Sequence, residues 1–362
     1  MDPNDWLEVI RREYLDDFIP AGGAAIKFVV PGDAAGRRDV QQGLREEAEG
    51  LGYTFAALDA ETTKLHLIDK LFHAVARQVD WDALTRAYLA RILPQMGYRL
   101  PDAPDTLSTP GALQALGTPE TPAAAEVVPD GQANALTVDR LAVVNDAPAP
   151  MLLSEVRREL WHRLLRDYAM AREFRLAMLR LCLSHLDPAD EPLQADAVKQ
   201  WLWGDLRLIS AVKPALIFQR IARHNARHML FSLAHWLALA GRRGLALYLD
   251  IARYADATRP AERGPGFYYS TAACMDLYEV LRQLIDATDE LEHCFAGVAA
   301  APEFLTDERR GLRSYQALYM RIADEVRDRH RPNPRSSMVR LTGVQGHGVA
   351  AGDSTFPEAG VA

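Results

Sequence analysis

Two stretches of the chain carry residue types that bind nucleotide phosphates. The first follows an apolar run at 24–30 and reads Pro31-Gly32-Asp33-Ala34-Ala35-Gly36-Arg37-Arg38. A phosphate loop of the pattern G-x-x-x-x-G-K-[ST] uses glycines to aim backbone N–H groups at phosphate, a lysine for the outer phosphates and a hydroxyl for Mg²⁺. Only Gly36 keeps its type here, because Pro31, Arg37 and Arg38 replace the first glycine, the lysine and the hydroxyl residue.

Each replacement changes the chemistry of the loop. Pro31 has a fixed φ and no N–H, and the planar fork of Arg37 is a poor geometric substitute for an ammonium. Arg38 cannot coordinate a metal, and Asp33 adds a negative charge to the phosphate cradle. The candidate nucleotide-binding residues of this loop, Gly32, Gly36, Arg37 and Arg38, retain electrostatic attraction for phosphate. Taken alone, the stretch is also typical of a surface turn.

The second stretch is an apolar run at 244–250 that ends in Asp250. In P-loop ATPases such a strand ends in an Asp that holds Mg²⁺, often followed by a Glu that polarises the attacking water. Ile251 stands at the position of that Glu. The residue types for metal ligation in the loop and for water activation after the strand are therefore missing together. The alternative interpretation is that Asp250 simply caps a turn.

Hydrophobic patterning predicts an α/β fold, a parallel sheet flanked by helices with a mostly helical second region. Short apolar runs bounded by Gly and Pro predict strands at 24–30, 53–58, 244–250 and 292–298. Amphipathic periodicity predicts helices, including 38–51, 66–96, 278–285 and a long one over 154–185 with Ser154 as its N-cap.

Composition divides the chain into five parts. Residues 101–150 hold prolines at positions 101, 104, 110, 119, 122, 129, 148 and 150, which predicts a linker or disordered insertion. The expected division is 1–100 and 241–341 for the two parts of the P-loop-like domain, 101–150 for the linker, 151–240 for the helical region and 342–362 for a disordered tail.

The overall composition favours a globular protein without a membrane span. The chain has 362 residues, 49% of them hydrophobic, and a net charge of −8. The longest apolar run, at 229–239, is too short to cross a bilayer, and the acidic N-terminus is unlike a secretory signal. Three scattered cysteines, Cys182, Cys274 and Cys294, fit a reducing compartment, so we expect a cytoplasmic protein.

Several blocks resemble the ATP-binding proteins of BREX-type bacteriophage-defence systems, a P-loop, AAA+-like family. In chain order they are 11–19 with 22–30, 241–250, 278–286 with 302–305, and 309–322. The resemblance covers most of residues 6–60 and 195–341, with 101–150 outside it. It implies an ATPase-like fold in a multi-gene antiviral system that distinguishes self from phage DNA.

The resemblance also implies partners and further site residues. AAA+-like proteins place nucleotide-sensing arginines where this chain has Arg309, Arg310, Arg313 and Arg321. These arginines could act in trans on the nucleotide of a partner, such as an active ATPase or helicase, in a homo- or hetero-oligomer. A solvated basic helix end is the alternative interpretation.

A basic stretch at 207–243 contains no acidic residue. Arg220, Arg223 and Arg227 have the spacing of one helical face, which suits contact with DNA phosphates, a solvated face or an acidic partner. His224 and His228 have the spacing of a helix-borne zinc site, but no third ligand is evident, so no metal is expected.

The leading hypothesis is a pseudo-ATPase, a structural or regulatory subunit of an antiphage complex that is not itself an enzyme. Its motivation is the coincident loss of hydrolytic residues at both nucleotide motifs. ATP bound without hydrolysis is compatible with it. The alternatives are a divergent ATPase active only in a complex, in which Arg37 and Asp250 handle phosphate and Mg²⁺, and a DNA-binding adaptor that uses the 207–243 region.

Overall fold

A computed structural model describes residues 1–101, 136–188, 192–257, 266–323, 333 and 335–341. Its centre is a five-stranded sheet in the order β2-β3-β4-β1-β5, and all four strand pairs are parallel. The strands are β1 Ala24–Val30, β2 Thr54–Asp59, β3 Leu245–Asp250, β4 Cys294–Ala299 and β5 Met338–Arg340. Since the strands are parallel, their carboxyl ends share one edge, which brings the residues after β1 and β3 together.

Helices surround the sheet and form a block beside it. In chain order they are α1 Pro3–Ile10, α2 Ala34–Gly50, α3 Ile68–Ala76, α4 Trp81–Gln95, α5 Val138–Asn145, α6 Ala149–Leu165, α7 Arg172–Leu186, α8 Pro192–Trp203, α9 Ala226–Leu239, α10 Thr271–Asp286, α11 Glu303–Thr306 and α12 Gln316–Ile322. A π-helical turn, Arg11–Leu15, continues α1.

The strands are mostly apolar because helices cover both faces of the sheet. Alternate residues of β1, such as Phe28 and Val29, enter different hydrophobic cores and are fully buried in them. The smaller core lies under α1 and α2. The larger core joins the other face of the sheet to α3, α4 and the helices α6 to α10.

The predicted strands at 24–30, 53–58, 244–250 and 292–298 agree with the structure to within two residues. Two predicted helices are wrong in their length. The 66–96 helix is two helices, because Asp80 caps α4 by accepting a hydrogen bond from the Ala83 N–H (2.9 Å). The 154–185 helix is also two, α6 and α7.

The start of α6 corrects the prediction that Ser154 is an N-cap. The helix begins at Ala149, and Pro150 lies in its first turn. Proline is tolerated there because the N–H groups of the first turn have no acceptor within the helix. The predicted linker, 101–150, lies mostly outside the described residues, but its last part contains α5 and the start of α6. The predicted tail, 342–362, lies outside the described residues, and the five-part division stays a prediction.

Within the described ranges, no helix is both long enough and apolar enough to cross a membrane.

Candidate functional site

The connection between β1 and α2 is short. Strand β1 ends at Val30 and α2 begins at Ala34, so Pro31, Gly32 and Asp33 alone join them. A phosphate loop keeps the residues between its two glycines outside the helix, where their N–H groups can surround a phosphate. Here Gly36 lies inside the first turn of α2, and this connection has no room for such a wrapped loop.

The N-terminus of α2 is capped by a carboxylate of the chain itself. Asp33 Oδ1 accepts a hydrogen bond from the Gly36 N–H at 2.8 Å, and Asp33 has the extended backbone of an N-cap residue. Its negative charge also interacts favourably with the positive end of the helix dipole. The Gly36 N–H that the sequence comparison assigns to a phosphate is therefore bound to Asp33.

The two stretches named from the sequence meet in one ion pair. Arg37 Nε donates to Asp250 Oδ2 at 3.0 Å, and each of the two side chains is only 18% exposed. Asp250 Oδ1 accepts the Ala252 N–H at 2.9 Å, and the Tyr248 hydroxyl donates to the Arg37 carbonyl at 2.7 Å. Burial raises the pKa of Asp250, which outweighs the opposing effects of the Ala252 N–H and Arg37.

The surroundings of Asp250 provide little for metal chemistry. Ile251 is 3% exposed and belongs to the larger core, so the position expected to polarise water carries a buried apolar side chain. Strand β4 ends beside Asp250 in Ala299, which brings no polar side chain to the edge. Throughout the part of the chain that the structure describes, no three His, Cys, Asp or Glu residues are grouped to hold a metal.

One acidic residue of this edge is absent from the candidates named from sequence. Asp59 ends β2 and pairs in register with Asp250. Its Oδ1 accepts the Glu61 N–H at 2.7 Å, so it caps the turn that follows β2. The available signal was the same one that identified Asp250, an apolar strand that ends in an acid.

The remaining loop residues divide between structure and solvent. Gly36 packs over Pro31, since a Cβ at Gly36 would lie 3.1 Å from the Pro31 Cβ. Gly32 and Arg38 are exposed. Of the predicted nucleotide-binding residues, the structure therefore brings Arg37 and Asp250 together. Arg38 does not take part in this ion pair.

Two of the four candidate sensing arginines are engaged by this chain. Arg310 is 7% exposed, and its Nη1 donates to the backbone carbonyls of Asp256 (3.0 Å) and Tyr269 (2.9 Å). Arg321 Nη2 donates to Asp286 at 2.8 Å. Arg310 and Arg321 therefore have partners within this chain, and their action on a neighbouring nucleotide stays a prediction. Arg309 and Arg313 are exposed, and their role stays a prediction.

The predicted common helical face of Arg220, Arg223 and Arg227 is wrong. Helix α9 begins at Ala226, so Arg220 and Arg223 lie in the preceding loop and Arg227 alone lies on the helix. Asn225 explains this start, because its side chain accepts the Ala222 N–H (2.8 Å) and donates to the Arg220 carbonyl (3.1 Å). The three arginines are exposed, and their contact with DNA stays a prediction.

The fold and the site define a class. The sheet has five parallel strands and is flanked by helices. The loop after β1 and the acid that ends β3 lie at the same carboxyl edge of this sheet. This arrangement is compatible with a P-loop NTPase fold. The chain belongs to the BREX system ATP-binding protein BrxC/D family, whose model matches residues 113–350, about two thirds of its length. No curated protein and no solved structure matches the chain.

The matched range differs from the extent expected from the sequence blocks. It includes the blocks from Gly241 onward and much of the 101–150 segment, which was expected to lie outside the resemblance. The blocks at 11–19 and 22–30 precede the matched range. The resemblance of β1 and of the loop after it to the family therefore rests on the fold and on the quoted residues.

Proposed function

We propose that this chain is a structural or regulatory subunit of a BREX-type phage-defence system and that it does not hydrolyse ATP. Membership in the BREX ATP-binding family supports the assignment to a BREX-type system and descent from an ATP-binding fold. The observation that carries the loss of hydrolysis is the buried ion pair between Arg37 and Asp250.

The ion pair removes the acid from metal chemistry. A magnesium ion held through water needs the Asp250 carboxylate to be free, but a guanidinium lies 3.0 Å from it. Opening the pair without a new partner leaves a buried charge uncompensated, which is strongly unfavourable. Phosphate would also have to displace Asp33 from the Gly36 N–H.

The strand order explains why the ion pair needs a long side chain. From the β5 edge it is β5-β1-β4-β3-β2, so β4 separates β1 from β3, the strand that ends in Asp250. Arg37, on the helix that follows β1, therefore has to reach across the end of β4. The long side chain of Arg37 spans this gap, which a shorter residue at the same position would leave open.

The test is calorimetric titration of the purified chain with ATP, with and without Mg²⁺, together with phosphate release. We expect no Mg²⁺-dependent binding and no hydrolysis. Asp59→Ala is the matched control for Asp250→Ala, because Asp59 is the neighbouring strand-ending acid. Hydrolysis that Asp250→Ala abolishes and Asp59→Ala preserves would contradict the proposal.

The same assay repeated with the other subunits of the system distinguishes the alternative. Hydrolysis that appears only in the assembled complex, and that is lost in Asp250→Ala, would identify a divergent ATPase activated by its partners. Hydrolysis that is indifferent to Asp250 would belong to a partner and is the result expected of a regulatory subunit.

A further inference from the structure

One stretch of the surface combines exposed apolar side chains with unpaired positive charge. Leu208, Leu216 and Phe218 are 69%, 40% and 57% exposed, respectively. Four exposed basic residues accompany them in the same loop between α8 and α9. We refer to the seven residues as the 207–223 surface: Arg207, Leu208, Lys213, Leu216, Phe218, Arg220 and Arg223.

The loop holds these side chains in place. Val212, Ala215 and Ile217 are almost completely buried, so alternate residues anchor the loop in the larger core while Leu216 and Phe218 project outward. The Trp201 Nε1–H donates to the Gln219 carbonyl at 3.0 Å. Because the backbone is fixed in this way, the apolar exposure is a property of the folded loop.

Leu216 occupies a backbone conformation that favours glycine. Its φ is +63°, in the left-handed region, where a branched side chain is strained. The Leu216 N–H donates to the Lys213 carbonyl at 2.8 Å and closes the turn, but the exposed side chain gains little from burial. Strained residues that persist in this manner concentrate at functional surfaces.

The positive charge of the surface has no acidic counterpart in the loop. The chain contains no Asp or Glu between Asp205 and Asp250. Within the described residues, none of the four cations forms an ion pair with a carboxylate, and Arg220 donates to the Arg207 carbonyl instead. The surface therefore presents exposed apolar side chains together with positive charge that is available to a partner.

We propose that the 207–223 surface docks a segment of a partner protein whose carboxylates surround apolar side chains. This inference rests on the proposed function as a subunit of a defence system. Exposed apolar side chains accompanied by charge are typical of protein interfaces, and the positive charge of this surface favours an acidic partner. Nucleic acid fits less well, because Phe218 is the one aromatic ring of the surface on which a base could stack.

The first experiment places a photo-crosslinking amino acid at position 218 of the full chain, in cells that express the complete defence locus. Mass spectrometry then identifies the crosslinked peptide. The proposal expects a peptide of another subunit that carries both Asp or Glu and apolar residues. A crosslink to a basic segment, or the absence of any crosslink to a subunit of the system, would overturn it.

The second experiment measures the affinity of that identified subunit for purified variants. Leu216→Gly removes the side chain and relieves the strained φ, so the variant folds at least as stably as the parent while binding falls about tenfold or more. Arg220→Glu weakens binding through charge. Val143→Ser and Arg158→Glu, at an exposed apolar and an exposed basic residue elsewhere, are the matched controls and leave the affinity unchanged.

A DNA duplex of about 30 base pairs is the competing probe, and its binding is measured over a range of salt concentrations. Salt-dependent DNA binding that Arg220→Glu removes and Leu216→Gly preserves would overturn the protein-docking proposal in favour of a nucleic-acid surface. These outcomes are independent of the ATP titration. A failure of the docking proposal can therefore be distinguished from a failure of the proposed function.

Discussion

Arg37 and Asp250 form the direct contact between the two stretches that the sequence singles out. The guanidinium fork of Arg37, at the position where the phosphate-loop pattern has a lysine, reaches the acid at the end of β3. The two charges therefore compensate each other. Ile251, the residue after this acid, is buried in the larger core.

Arg37→Ala should destabilise the protein more at pH 8 than at pH 4.5. Burial already raises the pKa of Asp250, so stability falls as pH rises from the ordinary carboxyl pKa through the raised folded value. Removing Arg37 takes away an opposing interaction and enlarges that fall. We expect a loss of about 2–3 kcal/mol at pH 8, below the range for fully buried pairs, measured by urea unfolding.

The double variant Arg37→Ala/Asp250→Asn is the control for this prediction. It removes the buried charge together with its partner, and we expect it to recover part of the stability at pH 8. An equal loss for Arg37→Ala at both pH values would contradict the role assigned to the ion pair.

The sequence identified the residues of this site better than their arrangement. The replaced positions at Pro31, Arg37 and Ile251 are visible in the motif comparison. The ion pair was not predictable, because it depends on β4 lying between the two motif strands and on α2 beginning three residues after β1. Asp33 was recognised as a negative charge in the loop, and its role as the cap of α2 follows only from the helix start.

At the scale of elements, buried apolar runs were easier to recognise than breaks between helices. Strands β1 to β4 are continuous apolar runs with flanking turn residues, whereas the break between α6 and α7 contains no Gly or Pro. Asp167 makes that break, because its side chain accepts the Ala169 N–H at 3.2 Å and the His235 ring lies 2.9 Å away. Long-range contacts of this kind leave no local signal.

Arg310 connects the segment after β3 to the turn before α12 through the hydrogen bonds of its guanidinium. Arg310→Ala leaves the carbonyls of Asp256 and Tyr269 without their buried donor, and we expect a loss of about 3 kcal/mol in the free energy of unfolding. Lysine cannot reproduce the fork, so Arg310→Lys should recover little of it. Thermal and urea unfolding measure both variants.

Arg313→Ala is the matched control, because Arg313 is an exposed arginine of the same region. Its stability should equal that of the parent. If Arg310→Ala proved as stable as Arg313→Ala, the guanidinium would not be holding the segment, and a role toward a neighbouring subunit would become the better interpretation.

At the scale of the whole molecule, His235 joins three distant parts of the chain. Its ring on α9 lies 2.9 Å from Asp167, after α6, and 3.2 Å from Glu292, before β4. The hydrogen bond with Asp167 raises the pKa of His235, against the effect of burial, and Glu292 adds to the rise. The protonated imidazole thus connects the helical block to the sheet.

His235→Gln should therefore destabilise the protein at pH 6 more than at pH 9. A raised folded pKa contributes stability that is complete below the unfolded value of about 6.5 and is lost as pH rises through the folded value. We expect a loss of about 1–3 kcal/mol at pH 6, typical of hydrogen bonds to a charged group. Urea unfolding at the two pH values checks it.

His162→Gln is the comparison, since His162 is an exposed residue of α6. It should show the pH dependence of the parent. A His235→Gln variant whose deficit is constant between pH 6 and pH 9 would mean that packing of the ring, and not its charge, stabilises the junction.

Finally, the helical block and the sheet should unfold together. The larger core runs without interruption from the strands through α3 and α4 to α6–α9, and Trp236 of α9 lies with its ring centroid 4.5 Å from that of Tyr88 of α4. Both side chains are almost completely buried. Calorimetry should then show one unfolding transition, since neither region closes a core alone.

Trp236→Ala tests this coupling directly. Loss of a fully buried tryptophan costs about 3–5 kcal/mol, and in a shared core that cost lowers the temperature of the whole transition. If the predicted helical region 151–240 were an independent domain, Trp236→Ala would split the curve and shift one part alone. A single shifted transition would mean that any partner bound at the 207–223 surface stabilises the sheet as well, because ligand binding stabilises the entire cooperative unit.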